Sequence, residues 1–273
     1  MDKERGENKY DGFAYYKPKL YSDPNSSYNT FFTNYLTDFC KKYEDIHNSE
    51  YYFLDLQGAY GMWGNMISKK IGAKKCIVTD YSEGMIEYGK TLYPESEAEF
   101  YNADFEKSLT DERITKYKYC GIIIKEAIHF TDAGYSARLM DFFKKHCTEN
   151  AFIICVGLSK PKYWAEVTDF IPHSAMKEIT DMRYDIIDFA DEFREMTKNE
   201  SGYKVESRIE PVPYIWLLDD FVYFLQNRSW SCFRVISEEE LNEYIEKAKK
   251  KENNQIKFDI YYGISEITKQ LKK

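Results

Sequence analysis

Three acidic side chains stand where apolar runs give way to turns. Asp55 lies in the run Phe53-Leu-Asp-Leu56 and is followed by Gln57-Gly-Ala-Tyr-Gly-Met-Trp-Gly64. A turn of small residues lets a ligand come close to the backbone. Asp80 ends the next run, which begins at Lys75, and a carboxylate placed there can accept both hydroxyls of a ribose. Asn102-Ala-Asp104 ends a third run. Ligands of open α/β sheets sit at the carboxyl ends of the strands, so the three acids converge on one crevice. Two of them also have a plainer use, because Asp104, or Asp80 paired with Glu83, can cap a helix that follows a strand.

The elements that must position these acids alternate at short spacing from residue 51 to 157, the sequence form of a parallel α/β sheet. The expected strands are Tyr51–Leu56, Lys75–Thr79, Ala98–Ala103, Tyr119–Lys125 and Ala151–Gly157. Leu139, Phe142, Phe143 and His146 recur at helical spacing, one stripe to lay on the sheet. After residue 158 the pattern changes. Asp181–Lys198 reads as an acidic helix, Pro211-Val-Pro213 as a break, and Tyr214–Asn227 as a second helix rich in bulky apolar residues. Ser237-Glu-Glu-Glu240 opens a further helix with a capping pair. Ile256, Phe258, Ile260, Tyr262 and Ile264 alternate as a strand does.

The 273 residues carry 46 acidic and 38 basic side chains, a formal net charge of −8, with 43% hydrophobic and 31% charged residues. This is the profile of a soluble globular protein. Its acidic balance argues against a chain that lives on a nucleic-acid backbone, which draws on clustered Lys and Arg. The dense basic run from Lys247 to Lys251 reads as the solvated end of a helix. Apolar runs such as Ala151 to Val156 fall far short of the roughly 18 to 20 residues needed to cross a bilayer, and Met1 to Lys9 lacks the makings of a secretory signal. A cytoplasmic protein is expected. Six cysteines, none in a C-x-x-C pair, suit buried thiols in a reducing compartment, with no disulfide and no metal site. The load of 25 Tyr fits either core packing or a pocket walled with flat rings.

At this point the chain resembles the class I S-adenosyl-L-methionine-dependent methyltransferases of the small-molecule type, well over residues 50 to 160 and loosely at the C-terminal strand. Phe53 to Gly64 is similar to the family's first motif and Thr79-Asp-Tyr-Ser-Glu-Gly-Met85 to its second. Asn102-Ala-Asp-Phe105 matches the position whose acid meets the adenine amino group, and Cys120 to His129 matches the fourth strand and the turn after it. The resemblance implies S-adenosyl-L-methionine as cofactor, held by Asp55, Gly58, Gly61, Asp80, Tyr81, Met85, Asp104 and Lys125. Where the family carries three alternating glycines, this chain has Gln57, Ala59 and Gly61.

His129 and Glu126, following the fourth strand, are the candidate catalytic groups. The expected architecture is a Rossmann-like, mostly parallel sheet with helices on both faces. Residues 1–50 would form an N-terminal cap segment on a methyltransferase domain of residues 51–273, with an inserted helical lid at about 160–235. In the family such segments cover the site and choose the acceptor, so Tyr16, Tyr163, Trp164, Tyr214, Trp216, Arg228 and Trp230 are candidate walls for an apolar or cationic small molecule. The expected protein is a monomer or homodimer acting on a small-molecule acceptor, with neither nucleic acid nor membrane as partner. Gln57 and Ala59 keep an inactive, methyltransferase-like binding partner as an alternative. A nicotinamide-dependent oxidoreductase is a third reading, with a poorer glycine fingerprint.

Overall fold

The computed structural model describes residues 17–43, 48–132, 134–159, 169–181, 186–200, 202–251 and 254–269. The strands are β1 (Tyr52–Leu56), β2 (Cys76–Asp80), β3 (Ala98–Asn102), β4 (Tyr119–Lys125), β5 (Cys147–Leu158), β6 (Tyr203–Leu217) and β7 (Gln255–Lys269). They form one sheet in the order β3-β2-β1-β4-β5-β7-β6. Pairs among β1 to β5 are parallel, and β7 runs antiparallel to β5, with Gly157 opposite Gly263 and Leu158 opposite Tyr262. The helices are α1 (Lys19–Ser22), α2 (Ser27–Cys40), α3 (Met62–Lys70), α4 (Glu83–Leu92), α5 (Phe105–Thr110), α6 (Glu112–Thr115) and α7 (Tyr135–His146), followed by α8 (His173–Asp181), α9 (Ile186–Thr197), α10 (Leu218–Gln226) and α11 (Glu238–Lys249).

The chain divides into two compact units. The larger draws on Tyr35–Ser159, Arg183–Glu210 and Tyr262–Lys273. Its parallel strands are buried on both faces and so read as unbroken apolar runs. Leu54, Leu56, Ile122, Ile124, Ile153 and Cys155 of the strands pack with Leu139 and Phe143 of α7 and Ile186, Phe189 and Phe193 of α9. On Phe152 of β5 meet the rings of Phe39, Tyr43 and Phe53, with centroids 4.9, 4.2 and 6.0 Å away. Gly121 makes room for them, since a Cβ there would lie 2.8 Å from Phe152.

The smaller unit draws on Met1–Asn34, Lys160–Met182 and Pro211–Tyr261. Its core is aromatic. Tyr21, Tyr28, Tyr214, Trp216, Phe221, Phe224, Trp230 and Phe258 form a chain of ring contacts with centroid separations of 4.7 to 6.4 Å. At the start of α11, Ser237 Oγ accepts from Glu240 N–H, the cap expected from its sequence.

Two expectations are corrected here. Pro211-Val-Pro213 does not break the chain but lies within β6, and Tyr214–Leu217 is strand, with helix only from Leu218. β6 is the last strand in the sheet order, and an edge strand tolerates residues that cannot donate to a ladder. The alternation of buried Val212, Tyr214 and Trp216 with exposed Pro211, Ile215 and Leu217 is a strand period. Of the acidic helix expected at Asp181–Lys198, Asp181 ends α8, Ile186–Thr197 form α9, and residues 182–185 lie outside the described ones.

Within the larger unit a buried carboxylate ties three elements together. Glu266 of β7 meets Lys42 Nζ and Arg208 of β6, each at 3.0 Å, and accepts from the Tyr35 hydroxyl of α2 at 3.0 Å. Burial alone would raise its pKa, yet the two cations and the hydroxyl hold it below the usual carboxylate range. Glu266→Ala should therefore cost about 2 kcal/mol, read by denaturant unfolding at pH 7. Because the folded pKa is depressed, this stabilisation is present above the unfolded value and fades as pH falls through the folded one. Equal unfolding midpoints for variant and wild type at pH 7 would refute it.

Candidate functional site

The turn after β1 keeps a left-handed backbone where sequence alone raised doubt. Gln57, Ala59 and Gly61 have φ of 57°, 51° and 80°. Glycine adopts such angles freely, whereas other residues give up roughly 1 to 2 kcal/mol. Gln57 and Ala59 thus hold a backbone region that glycine enters more easily, at a cost met elsewhere. The Gln57 side chain supplies part of that compensation. Its Nε2 donates to Ala103 O at 2.8 Å and its Oε1 accepts from Tyr81 N–H at 3.2 Å. The amide thereby links the carboxyl ends of β1, β2 and β3.

Asp55 lies under this turn. Its Oδ2 accepts from Gly64 N–H at 3.0 Å, and its Oδ1 is buried with no hydrogen-bond partner among the described residues. A Cβ at Gly58 would sit 2.2 Å from Asp55 Cγ, and one at Gly64 would sit 2.5 Å from Asp55 Cβ. Both glycines are therefore required by the close approach of the carboxyl, and Gly61 by its left-handed φ together with Val78, whose Cγ2 would lie 2.8 Å from a Cβ there. Burial pushes Asp55 up to about 7, with the Gly64 N–H opposing and the nearby Asp80 adding to the rise.

Asp80 is buried at the end of β2. Its Oδ2 accepts from Ala59 N–H at 2.9 Å and its Oδ1 from Ser82 N–H at 2.8 Å. Burial pushes it up to about 6 against those two donors. It is not a helix cap, because Ser82 caps α4 through Met85 N–H. Asp104 is one, with Oδ1 accepting from Lys107 N–H at 2.8 Å at the start of α5. Tyr81 is 37% exposed beside Asp80, and Met85 is buried in α4.

At the end of β4, the Lys125 side chain is 6% exposed, with Nζ 3.1 Å from Glu126 Oε2 and 5.3 Å from the centre of the Trp63 ring. Burial lowers its pKa, with Glu126 and Asp55 opposing. Glu126 has φ 57° and also accepts from the Tyr262 hydroxyl of β7. His129 sits in the short turn Ile128–Phe130, its ring 4.0 Å from that of Phe130. Burial pushes it down to about 4, with Glu126 opposing, so its imidazole is neutral at pH 7.

The structure thus gathers Asp55, Gly58, Gly61, Asp80, Tyr81, Lys125, Glu126 and His129 on one unit, in or directly after β1, β2 and β4. It does not do so for the expected acceptor walls. Tyr214 and Trp216 are buried, and Trp230 is nearly so, within the aromatic core of the smaller unit. Arg228 closes a chain turn, donating to Phe233 O and Ile236 O and pairing with Glu238 at 2.7 Å. Tyr16, Tyr163 and Trp164 lie outside the described residues. Sequence reasoning missed Tyr262, whose signal, a place in the alternating C-terminal strand, marks it as core and says nothing of its hydroxyl.

No protein-family model and no curated protein matches the chain. Solved structures do. The plantazolicin methyltransferase BpumL, in complex with SAH, is 14% identical over 95% of this chain and 94% of its own, with a TM-score of 0.55. The plantazolicin methyltransferase BamL, in complex with a triazolic desmethylPZN analog and SAH, is 12% identical over 98% and 97%, with a TM-score of 0.54. The YcgJ protein from Bacillus subtilis is 15% identical over 87% and 99%, with a TM-score of 0.55. At these identities the likeness is one of fold.

Proposed function

We propose that this chain, which has the fold of the class I methyltransferases, moves a methyl group from S-adenosyl-L-methionine to a nitrogen or oxygen atom of a small molecule. The observation that carries the reading is the carboxylate pair under a left-handed loop. Asp55 has an unpartnered buried oxygen, and Asp80 has both oxygens fixed by backbone donors. Each Asp80 oxygen keeps a lone pair able to accept a ribose hydroxyl. Asp55 Oδ1 fits an ammonium or an ordered water between it and one. The N-terminal amides of α3, entered through Gly61, suit a ligand carboxylate. Tyr81 offers a ring face beside Asp80, and Asp104 keeps Oδ2 outside its helix cap.

When bound, S-adenosyl-L-methionine supplies an electrophilic methyl group. The residues of the chain have the simpler task of orienting an acceptor for in-line attack and shutting out water, which can account for much of the acceleration. Glu126 or neutral His129 would take the proton of an acceptor that arrives protonated. Among the described residues, no group of His, Cys, Asp and Glu is placed to hold a metal ion, and no helix is long and apolar enough to cross a membrane. The same reading has the protein acting in the cytoplasm, as a monomer or homodimer.

Calorimetric titration with S-adenosylhomocysteine tests the reading, with NADH as the rival ligand. Heat with the first and none with the second is expected. Heat with NADH alone would replace methyl transfer by the oxidoreductase reading, and heat with neither would favour an inactive partner. The left-handed loop, kept despite Gln57 and Ala59, favours a working site over that last outcome.

A further inference from the structure

We infer that Gln57 is a positioning residue of this site: through its side-chain amide and its backbone N–H it fixes two groups placed to read a purine, the Tyr81 ring and the Asp104 carboxylate, and so sets a preference for a base edge that donates. The use of that placement in cofactor binding rests on the methyl-transfer reading; the placement itself does not.

The tethers leave Gln57 by two routes. Along the side chain, Nε2 donates to Ala103 O at 2.8 Å, the peptide just before Asp104, and Oε1 accepts from Tyr81 N–H at 3.2 Å. Asn102 Nδ2 donates to Tyr81 O at 2.8 Å, so Tyr81 is held on both of its peptide groups. Along the backbone, Gln57 N–H makes a long bond of 3.4 Å to Thr79 Oγ1, which lies 2.9 Å from Ser108 Oγ, itself 2.7 Å from Asp104 O. The ends of this chain set its direction, since an N–H only donates and a carbonyl only accepts. The Thr79 hydroxyl therefore accepts from Gln57 and donates to Ser108, whose single proton goes to Asp104 O. Thr79 and Ser108 are fully buried and Gln57 nearly so, and a hydrogen bond in such surroundings is electrostatically stronger than in water.

The backbone says why an amide stands here. Gln57 has φ 57°, which glycine would adopt at less cost, and a residue kept in such a region needs surroundings that hold it there. Glycine would bring no side chain to Ala103 and Tyr81. What the tethers position is a difference in chemistry. Asp104 Oδ1 accepts from Lys107 N–H at 2.8 Å and orients the carboxylate at the start of α5. A carboxylate only accepts, so its other oxygen takes the 6-amino group of a purine and repels a 6-carbonyl. Any slack in the Ala103–Asp104 segment blunts that choice, because the carboxylate can then turn away from the base.

Calorimetric titrations with S-adenosylhomocysteine and with S-inosylhomocysteine, its 6-oxo counterpart, read the preference in wild type, Gln57→Met and Gln57→Gly. Amide exchange of Lys107 in ligand-free protein reads the placement. Both variants should lose about 10-fold in S-adenosylhomocysteine affinity and far less for the 6-oxo ligand, so the preference narrows by about 10-fold, the worth of one hydrogen bond. The Lys107 N–H, bonded to Asp104 and not to Gln57, should exchange about 10-fold faster as the cap loosens. Gln57→Gly sheds backbone strain and should melt above Gln57→Met, yet the two should bind alike, so affinity parts from stability. An unchanged preference, an unchanged Lys107 exchange, or affinities that follow the melting temperatures across the three proteins would overturn the inference. If Lys107 exchange quickens but the wild type binds neither ligand, the placement stands and the methyl-transfer reading falls. If the wild type binds S-adenosylhomocysteine and both variants keep its preference, methyl transfer stands and the role of Gln57 falls.

Discussion

Trp216→Ala is expected to destabilise the protein by about 3 to 5 kcal/mol, the range for truncating a large aromatic side chain in a packed core. Trp216 is 1% exposed and has the rings of Tyr21, Phe221 and Phe224 at centroid distances of 5.5, 5.6 and 4.7 Å. Removing it leaves a void bordered by those rings, and such a cavity closes only in part. Trp216→Phe should cost much less. It keeps an aromatic ring and removes an indole N–H that is buried without a partner among the described residues, so the lost area is partly offset by relief of an unsatisfied donor. Denaturant unfolding of the two variants measures the contrast. Near-wild-type stability of Trp216→Ala, combined with a raised KM for the acceptor, would return this residue to the role of pocket wall.

That contrast marks where the sequence was legible. The parallel strands could be read because each is buried on both faces, so that Cys120–Ile124 and Phe152–Val156 appear as unbroken apolar runs. The carboxyl-end acids Asp55 and Asp80 could be read for the same reason, since a polar residue at the end of such a run stands out. β6 could not be read. Its two prolines mimic a break, and the bulky residues after them mimic a helix, because nothing local says that the strand lies at the sheet edge. The indole of Trp216 and the guanidinium of Arg228 looked available for a ligand, yet their partners, Tyr21 on one side and Phe233 and Ile236 on the other, are fixed by tertiary packing. Gln57 is the most instructive case. Its departure from glycine was visible, but the two backbone groups its amide satisfies, Ala103 O and Tyr81 N–H, belong to other strand ends. Read locally it is an obstruction; in the fold it is a clasp.

Asp80→Ala is expected to weaken S-adenosylhomocysteine binding by on the order of 2 kcal/mol or more, about 30-fold, because two hydroxyl donors lose a charged acceptor. The pH dependence identifies the cause. Burial raises Asp80 to about 6 and Asp55 to about 7, so between roughly 4 and 7 the folded, ligand-free protein binds more protons than the unfolded chain. By linkage these two groups make the free protein less stable as pH rises through that window. Ligand hydroxyls donate to the ionised carboxylate, so binding at pH 5 must first release a proton, and affinity should climb as pH rises through about 6. In Asp80→Ala that step should vanish, leaving only a weaker one from Asp55, moved below its wild-type position because the Asp80 charge that helps raise Asp55 is gone. Stability should change less than affinity at pH 8, since the loss of a buried charge offsets the Ala59 and Ser82 N–H groups left without their acceptor. Calorimetric titrations at pH 5, 6, 7 and 8, with thermal melts of the same samples, separate the two effects. Equal losses of stability and affinity, or a 30-fold loss with the pH step intact, would show that Asp80 merely braces the loop through Ala59 and does not hold the ribose.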